Sequence, residues 1–134
     1  MRGISLLLLG ATLASCTATP EPARSARGEQ QFQHLITGKV AGAAQACLPM
    51  RPNWGDMVVL DDQTVAFKGG GGRVYVNHLS PGCTGVGLGN ALVTKQPGSS
   101  LCRGDIATVE NLQSRITVGS CTFGEFVPYS RPGV

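Results

Sequence analysis

The chain is short of aromatic and charged residues. Trp, Tyr and Phe make up 5% of its 134 residues, and Asp, Glu, Lys and Arg 14%. So few rings can hardly be spared from a core. Trp54 and Tyr75 are therefore read as packing residues, with Trp54 covering one end of a sheet. The formal charge of +3 gives no electrostatic case for nucleic acid, which wants a strong basic excess on one face. No apolar run reaches the roughly 20 residues that a membrane-spanning helix needs. No Gly-x-Ser-x-Gly or His-Glu-x-x-His pattern occurs. No two cysteines have the close spacing of a structural zinc site. Asp56, Asp61 and Asp62 lack the alternating oxygen ligands and fixed glycine of a calcium loop, so they are read as turn and strand-end residues. No metal and no cofactor is expected.

The N-terminus is informative. Met1-Arg2-Gly3 precedes an apolar run over 4–9, then Gly10-Ala11-Thr12 and Leu13-Ala14-Ser15-Cys16. One positive charge, a short hydrophobic stretch and small residues before a cysteine make an export signal. The last four residues resemble the lipobox of bacterial lipoproteins. That resemblance implies a signal peptide over 1–15, acylation of Cys16 and a new N-terminus there. Each buried CH2 contributes about 0.8 kcal/mol, and several chains on one cysteine anchor stably. Thr17, where an Asp would retain the protein, resembles the default for transfer to an outer membrane. The alternative is plain secretory cleavage after Ala14 or Ala18, which would leave an unanchored protein. Residues 16–28, with two prolines and no apolar period, read as a lipidated flexible tether.

A folded part over 29–128 is small enough to be marginal on its own core. Four cysteines remain: Cys47, Cys83, Cys102 and Cys121. An even count in an exported chain predicts two disulfides. Three pairings are open. The favoured one joins Cys83 to Cys102 and Cys47 to Cys121, linking successive segments and tying the beginning of the domain to its end. The 83–102 loop alone would contribute roughly 3 kcal/mol. Cys83, Cys102 and Cys121 are evenly spaced, each with Gly soon after. This reads as the pitch of strand-turn-strand units, because the copies match nowhere else.

Residues 29–37 predict a short helix with Phe32, Leu35 and Ile36 on one side and Gly38 as its stop. From residue 57 the period becomes two. Strands are expected over 57–60, 64–68, 73–77, 88–95, 105–109 and 115–118. The glycines 69–72 mark a hairpin tip, and residues 111–114 mark another. Val65 with Phe67, and Val74 with Val76, should each share a face. Phe123 and Phe126 close the fold, leaving 129–134 as a tail. Nineteen glycines are about twice the usual share, and they fall between apolar runs. The expectation is an all-β, mainly antiparallel domain: a meander, small barrel or sandwich with two disulfides and a short N-terminal helix.

About 90 residues of the chain resemble an uncharacterised family of small envelope proteins of Gram-negative bacteria. The resemblance rests on Gly38, Ala41-Gly42, Cys47-Leu48, Phe67, Tyr75-Val76-Asn77-His78-Leu79 and Cys83-Thr84-Gly85. It continues in Leu101-Cys102-Arg103-Gly104-Asp105-Ile106 and Cys121-Thr122-Phe123-Gly124-Glu125-Phe126-Val127-Pro128. The family often has Leu where Phe123 stands. The resemblance implies a disulfide-linked envelope fold and brings no activity, cofactor or catalytic residue.

Other candidates have plainer readings. Arg103-Gly104-Asp105 spells an integrin-binding tripeptide but reads as a turn beside a cysteine. Residues 85–89 look like a phosphate loop, yet a strand-like segment follows where a helix is required, and the run reads as a bulged or strained turn. Residues 69–72 are open to ligands by backbone N–H groups but read as a flexible tip. His78 would need a nucleophile or carboxylate such as Asp105, Asp56 or Ser80 beside it, and reads as a strand-end histidine. His34 is expected on the solvated side of the helix. The leading expectation is an outer-membrane lipoprotein facing the periplasm that is no enzyme but a binding or structural module. Its partners would be an envelope protein or a cell-wall polymer, reached through an edge strand. The alternatives are an inhibitor of an envelope lysozyme or protease, using the 85–89 loop, and an enzyme using His78.

Overall fold

Alternating apolar residues build one curled, half-barrel antiparallel sheet. A computed structural model describes residues 24–49, 57–81, 83–95 and 98–133. Cys16, the signal segment, residues 16–23 of the expected tether, Trp54 and Asp56 lie outside the described residues, while residues 25–28, expected as the end of that tether, are the cap and first turn of a helix. The elements in chain order are α1 (Ala26–Ile36), β1 (Val40–Ala41), β2 (Cys47–Pro49), β3 (Met57–Val59), β4 (Thr64–Lys68), β5 (Val74–Leu79), β6 (Ala91–Thr94), β7 (Ser100–Cys102), β8 (Ile106–Asn111) and β9 (Ile116–Ser130). The main sheet has the order β3-β4-β5-β9-β8-β6, and β1 also pairs with β9. The expected all-β class and both hairpins are found. The β4–β5 hairpin turns through glycines 69–72, and the β8–β9 hairpin through residues 112–115.

β9 organises the sheet. Fifteen residues long, it would span about 50 Å if straight, well beyond any single partner. Its first half pairs with β8 and its second half with β5. β1 and a bridge from Gln45 to Phe126 accompany that second half. The strand continues through Ser130, so residues 129 and 130 belong to the sheet and not to a tail. Two bulges bend it. One faces Val109/Glu110 of β8, the other Asn77/Leu79 of β5.

The second bulge is filled by a side chain. Asn77 is fully buried. Its Nδ2 donates to the backbone carbonyls of Gly124 (2.8 Å) and Glu125 (3.1 Å), and its Oδ1 accepts from the Gly124 N–H (3.1 Å). A bulge leaves ladder groups unpaired, and one amide supplies both the donor and the acceptor they need. Gly124 also carries no Cβ because one would stand 2.6 Å from the His78 carbonyl oxygen.

The β4–β5 hairpin is covered on both faces. Val65, Phe67, Tyr75 and Leu79 point into the concave core with Phe123, Phe126, Ala107 and Val109. Phe67, Phe123 and Phe126 pack with centroids 6.0–6.3 Å apart. Val74 and Val76 share a face, as Val65 and Phe67 do, but it is the opposite one. There they lie with Ala66 beneath α1, against Phe32, Leu35 and Ile36. Helix α1 begins earlier than expected because Ser25 caps it, accepting from the Gly28 N–H at 3.1 Å. Phe32 meets Tyr129 edge-on at 5.9 Å. Gln33, and then Arg24, hold the exposed Glu29 carboxyl below its usual pKa. All four Phe rings and Tyr75 are buried, so these five aromatics are spent on packing.

The favoured disulfide pairing is not the one found. Cys47 bonds Cys102, and Cys83 bonds Cys121. The reason is strand pairing. β2 and β7, two short strands not expected from the sequence, form their own antiparallel ribbon with Cys47 directly opposite Cys102. Their Leu48 and Leu101 are buried and close over the concave core. Cys83 follows β5 and meets Cys121 in β9. The three evenly spaced cysteines therefore occupy a loop, the end of β7 and the middle of β9, which are not equivalent places. The loops span 55 and 38 residues, each stabilising by about 4 kcal/mol on the chain-entropy model. Peptide mapping of the unreduced chain should recover Cys47–Cys102 and Cys83–Cys121. A peptide joining Cys83 to Cys102 would contradict this topology.

Candidate functional site

Loop 85–90 stands out by being fixed and exposed at once. Gly85 (φ +94°) and Gly89 (φ +85°) bracket a single 3-10 turn, Val86–Leu88. Both are in the left-handed region that favours glycine. The turn buries Val86 and leaves Leu88 84% exposed. Four contacts brace it. The Gly87 N–H donates to Asp62 Oδ1 (2.9 Å). Asn90 Nδ2 donates to the Gly85 carbonyl (2.9 Å), and Asn111 Nδ2 donates to Asn90 Oδ1 (3.3 Å). Cys83, just before the loop, is tied to Cys121.

The Asn111–Asn90 bond ties the loop to the β8–β9 hairpin, and a Cβ added at Gly85 would stand 4.0 Å from the Val118 side chain. That tip is itself held. Asn111 Oδ1 accepts from the N–H groups of Gln113 (3.0 Å) and Ser114 (2.9 Å). The turn places Arg115 at φ +56°, an unusual value for a residue with a side chain. Leu112, Ile116 and Val118 are all exposed there. Leu88, Leu112, Ile116 and Val118 are thus each exposed on a loop and a hairpin that the Asn111–Asn90 bond ties together. Beside Leu88 a cleft of about 480 Å³ runs between the loop, the Asp61-Asp62 turn and the first half of α1. Val59, Leu60 and Val86 form its apolar part, and Arg27, Gln31, Asp61 and Asp62 its polar part.

The other sequence candidates fall elsewhere. Arg103-Gly104-Asp105 is a turn, as expected. Asp105 Oδ2 accepts from the Cys102 N–H (2.7 Å), and Arg103 pairs with Glu125 (2.8 Å). Loop 85–89 leads into β6, not into a helix, so it lacks the phosphate-loop arrangement. Asp61 closes a turn by accepting from the Gln63 N–H (2.8 Å), and Asp62 holds the loop. His78 is exposed on β5. Of its named partners, Asp105 is committed to the Cys102 amide and Asp56 lies outside the described residues. Ser80 donates its N–H to the Thr122 carbonyl. Glycines 69–72 do form the β4–β5 tip, and His34 is exposed beside them.

Sequence reasoning placed Leu88 at the start of a strand and so missed its exposure. The signal was present in the paired glycines around it. The chain matches no protein-family model, no curated protein and no solved structure. Replacing Asp62 with Ala should cost about 1 kcal/mol and speed amide exchange at Gly87 and Leu88, leaving both disulfides intact. Unchanged exchange there would mean that Asp62 does not brace the loop.

Proposed function

We propose that this chain is a bacterial envelope lipoprotein, acylated at Cys16, whose folded part is a non-catalytic binding module facing the periplasm. The observation that carries the binding role is the exposure of apolar residues on braced segments. Leu88 on the loop, Leu112 in the hairpin turn, and Ile116 and Val118 at the start of β9 are each exposed on hydrogen-bonded segments tied to one another, which supports a surface for another protein. Rigidity lowers the ordering cost of association. The lipobox-like residues 13–16 and the two disulfides support an envelope location, and so does the resemblance to uncharacterised envelope proteins. The partner of this surface is an envelope protein.

A second reading is favoured by one feature. Leu88 stands at the apex of a turn stiff enough to hold shape inside an active-site cleft. That suits an inhibitor of an envelope lysozyme or protease, the bound enzyme being the partner.

Intact mass analysis should find fatty-acyl groups on a chain beginning at Cys16; a free, unacylated Cys16 would remove the anchor. Crosslinking in the native envelope should capture a discrete protein with the natural chain. The doubly changed Leu88→Asp, Val118→Asp chain should lose it. An undiminished crosslink would overturn the assignment of this surface. Stoichiometric inhibition of a lysozyme or protease, abolished by Leu88→Asp alone, would select the second reading.

A further inference from the structure

The end of the sheet opposite loop 85–90 has a different chemistry. β4 runs away from the Asp61-Asp62 turn to Lys68, and β5 starts back at Val74. α1 runs the same way, from its capped start beside the cleft to Ile36. At that far end lies a hollow of about 370 Å³ walled by His34, Lys39, Lys68 and Arg73, with Leu35 and Val74 as apolar surface. No described acidic residue lines it. Lys39 is held in place, its Nζ donating to the Leu35 carbonyl (2.6 Å). The glycine tip 69–72 forms one lip, with Gly71 and Gly72 at positive φ and nothing standing over them. Arg131 follows β9 just beyond Tyr129, the register partner of Val74, and adds a further cation to this end.

The topology thus collects basic residues from four separate segments, although the whole chain is only slightly basic. Like charges brought together raise the local positive potential, which favours an anion there. The hollow is concave, which suits a discrete projecting group better than a flat lipid surface. An arginine fork and two lysines match a carboxylate. The described chain begins at Arg24, beside the cleft, so the tether joins the end away from this hollow. α1 alone sets the two ends about 16 Å apart. An anchored domain can therefore hold its cationic end off the membrane.

We infer that this hollow binds the free carboxylates of the peptide strands of the cell-wall polymer. The inference rests on the envelope location proposed above and goes beyond the protein-docking surface. Its test is co-sedimentation of the acylated chain, in detergent, with purified murein sacculi. The natural chain should sediment with them. Lys68→Gln with Arg73→Gln should weaken binding about tenfold, as loss of two exposed ion pairs would. Lys39→Gln with Arg73→Gln gives a second pair should the first disturb the hairpin. Lys95→Gln with Arg115→Gln removes the same charge elsewhere and should change binding less than about twofold. Sacculi with amidated carboxyls should bind the natural chain as weakly as they bind the hollow variants.

Equal weakening by both kinds of pair would reduce the effect to net charge and overturn the site. Indifference to amidation would overturn the carboxylate, and preferential binding to phosphatidylglycerol vesicles would assign the hollow to lipid instead. A chain without acyl groups that still binds sacculi through Lys68 and Arg73 would separate failure of the anchor from failure of the site.

Discussion

The fold depends on how one strand changes partners. β9 must leave β8 and take up β5 within fifteen residues. At the point of exchange the ladder slips and backbone groups of Gly124 and Glu125 lose their regular partners. The buried Asn77 amide answers them with two donated bonds and one accepted bond. Leaving such groups buried and unpaired costs about 1–3 kcal/mol each, a large share of the 5–15 kcal/mol that holds a typical domain together. Around this clamp the sheet curls, and the curl makes the concave core that Phe67, Phe123 and Phe126 fill. The Cys83–Cys121 bond then fixes the segment after β5 to β9 a few residues from the same point.

Much of this was legible in the sequence, and the legible parts share a cause. The β4–β5 hairpin, the β8–β9 hairpin and the Phe32, Leu35, Ile36 stripe are local patterns, each decided within about fifteen residues. What escaped is non-local. Alternation shows that 116–118 is a strand, but the continuation to Ser130 is set by β1 and β5, which lie far back in the chain. Cys47–Cys102 follows from a ribbon between two three-residue strands, too short for any period to betray. Reasoning by sequence proximity chose Cys83–Cys102 because it could not see that ribbon. Asn77 is one polar residue in an apolar strand, the kind of local inconsistency that marks a structural or functional demand. The candidate surface was half legible. Glycines 85 and 89 announced a turn, but only the structure shows Leu88 leaving the core while Val86 enters it.

The same topology gives the molecule two unlike ends. α1, β4 and β5 all run between them. One end carries Asp61, Asp62, the cleft and the exposed Leu88, beside the start of the described chain. The other carries Lys39, Lys68, Arg73 and Arg131 around a glycine tip. On the two proposals made above, the stapled sheet is the spacer between the two surfaces.

The most direct measurement is the unfolding free energy of the Asn77→Ala chain, by denaturant titration with both disulfides intact. The account predicts a loss of about 3 kcal/mol, with faster amide exchange centred on Gly124 and spreading into β5 and the second half of β9. A loss below about 1 kcal/mol, with exchange around Gly124 unchanged, would show that the sheet turns this corner without the asparagine and would contradict the account.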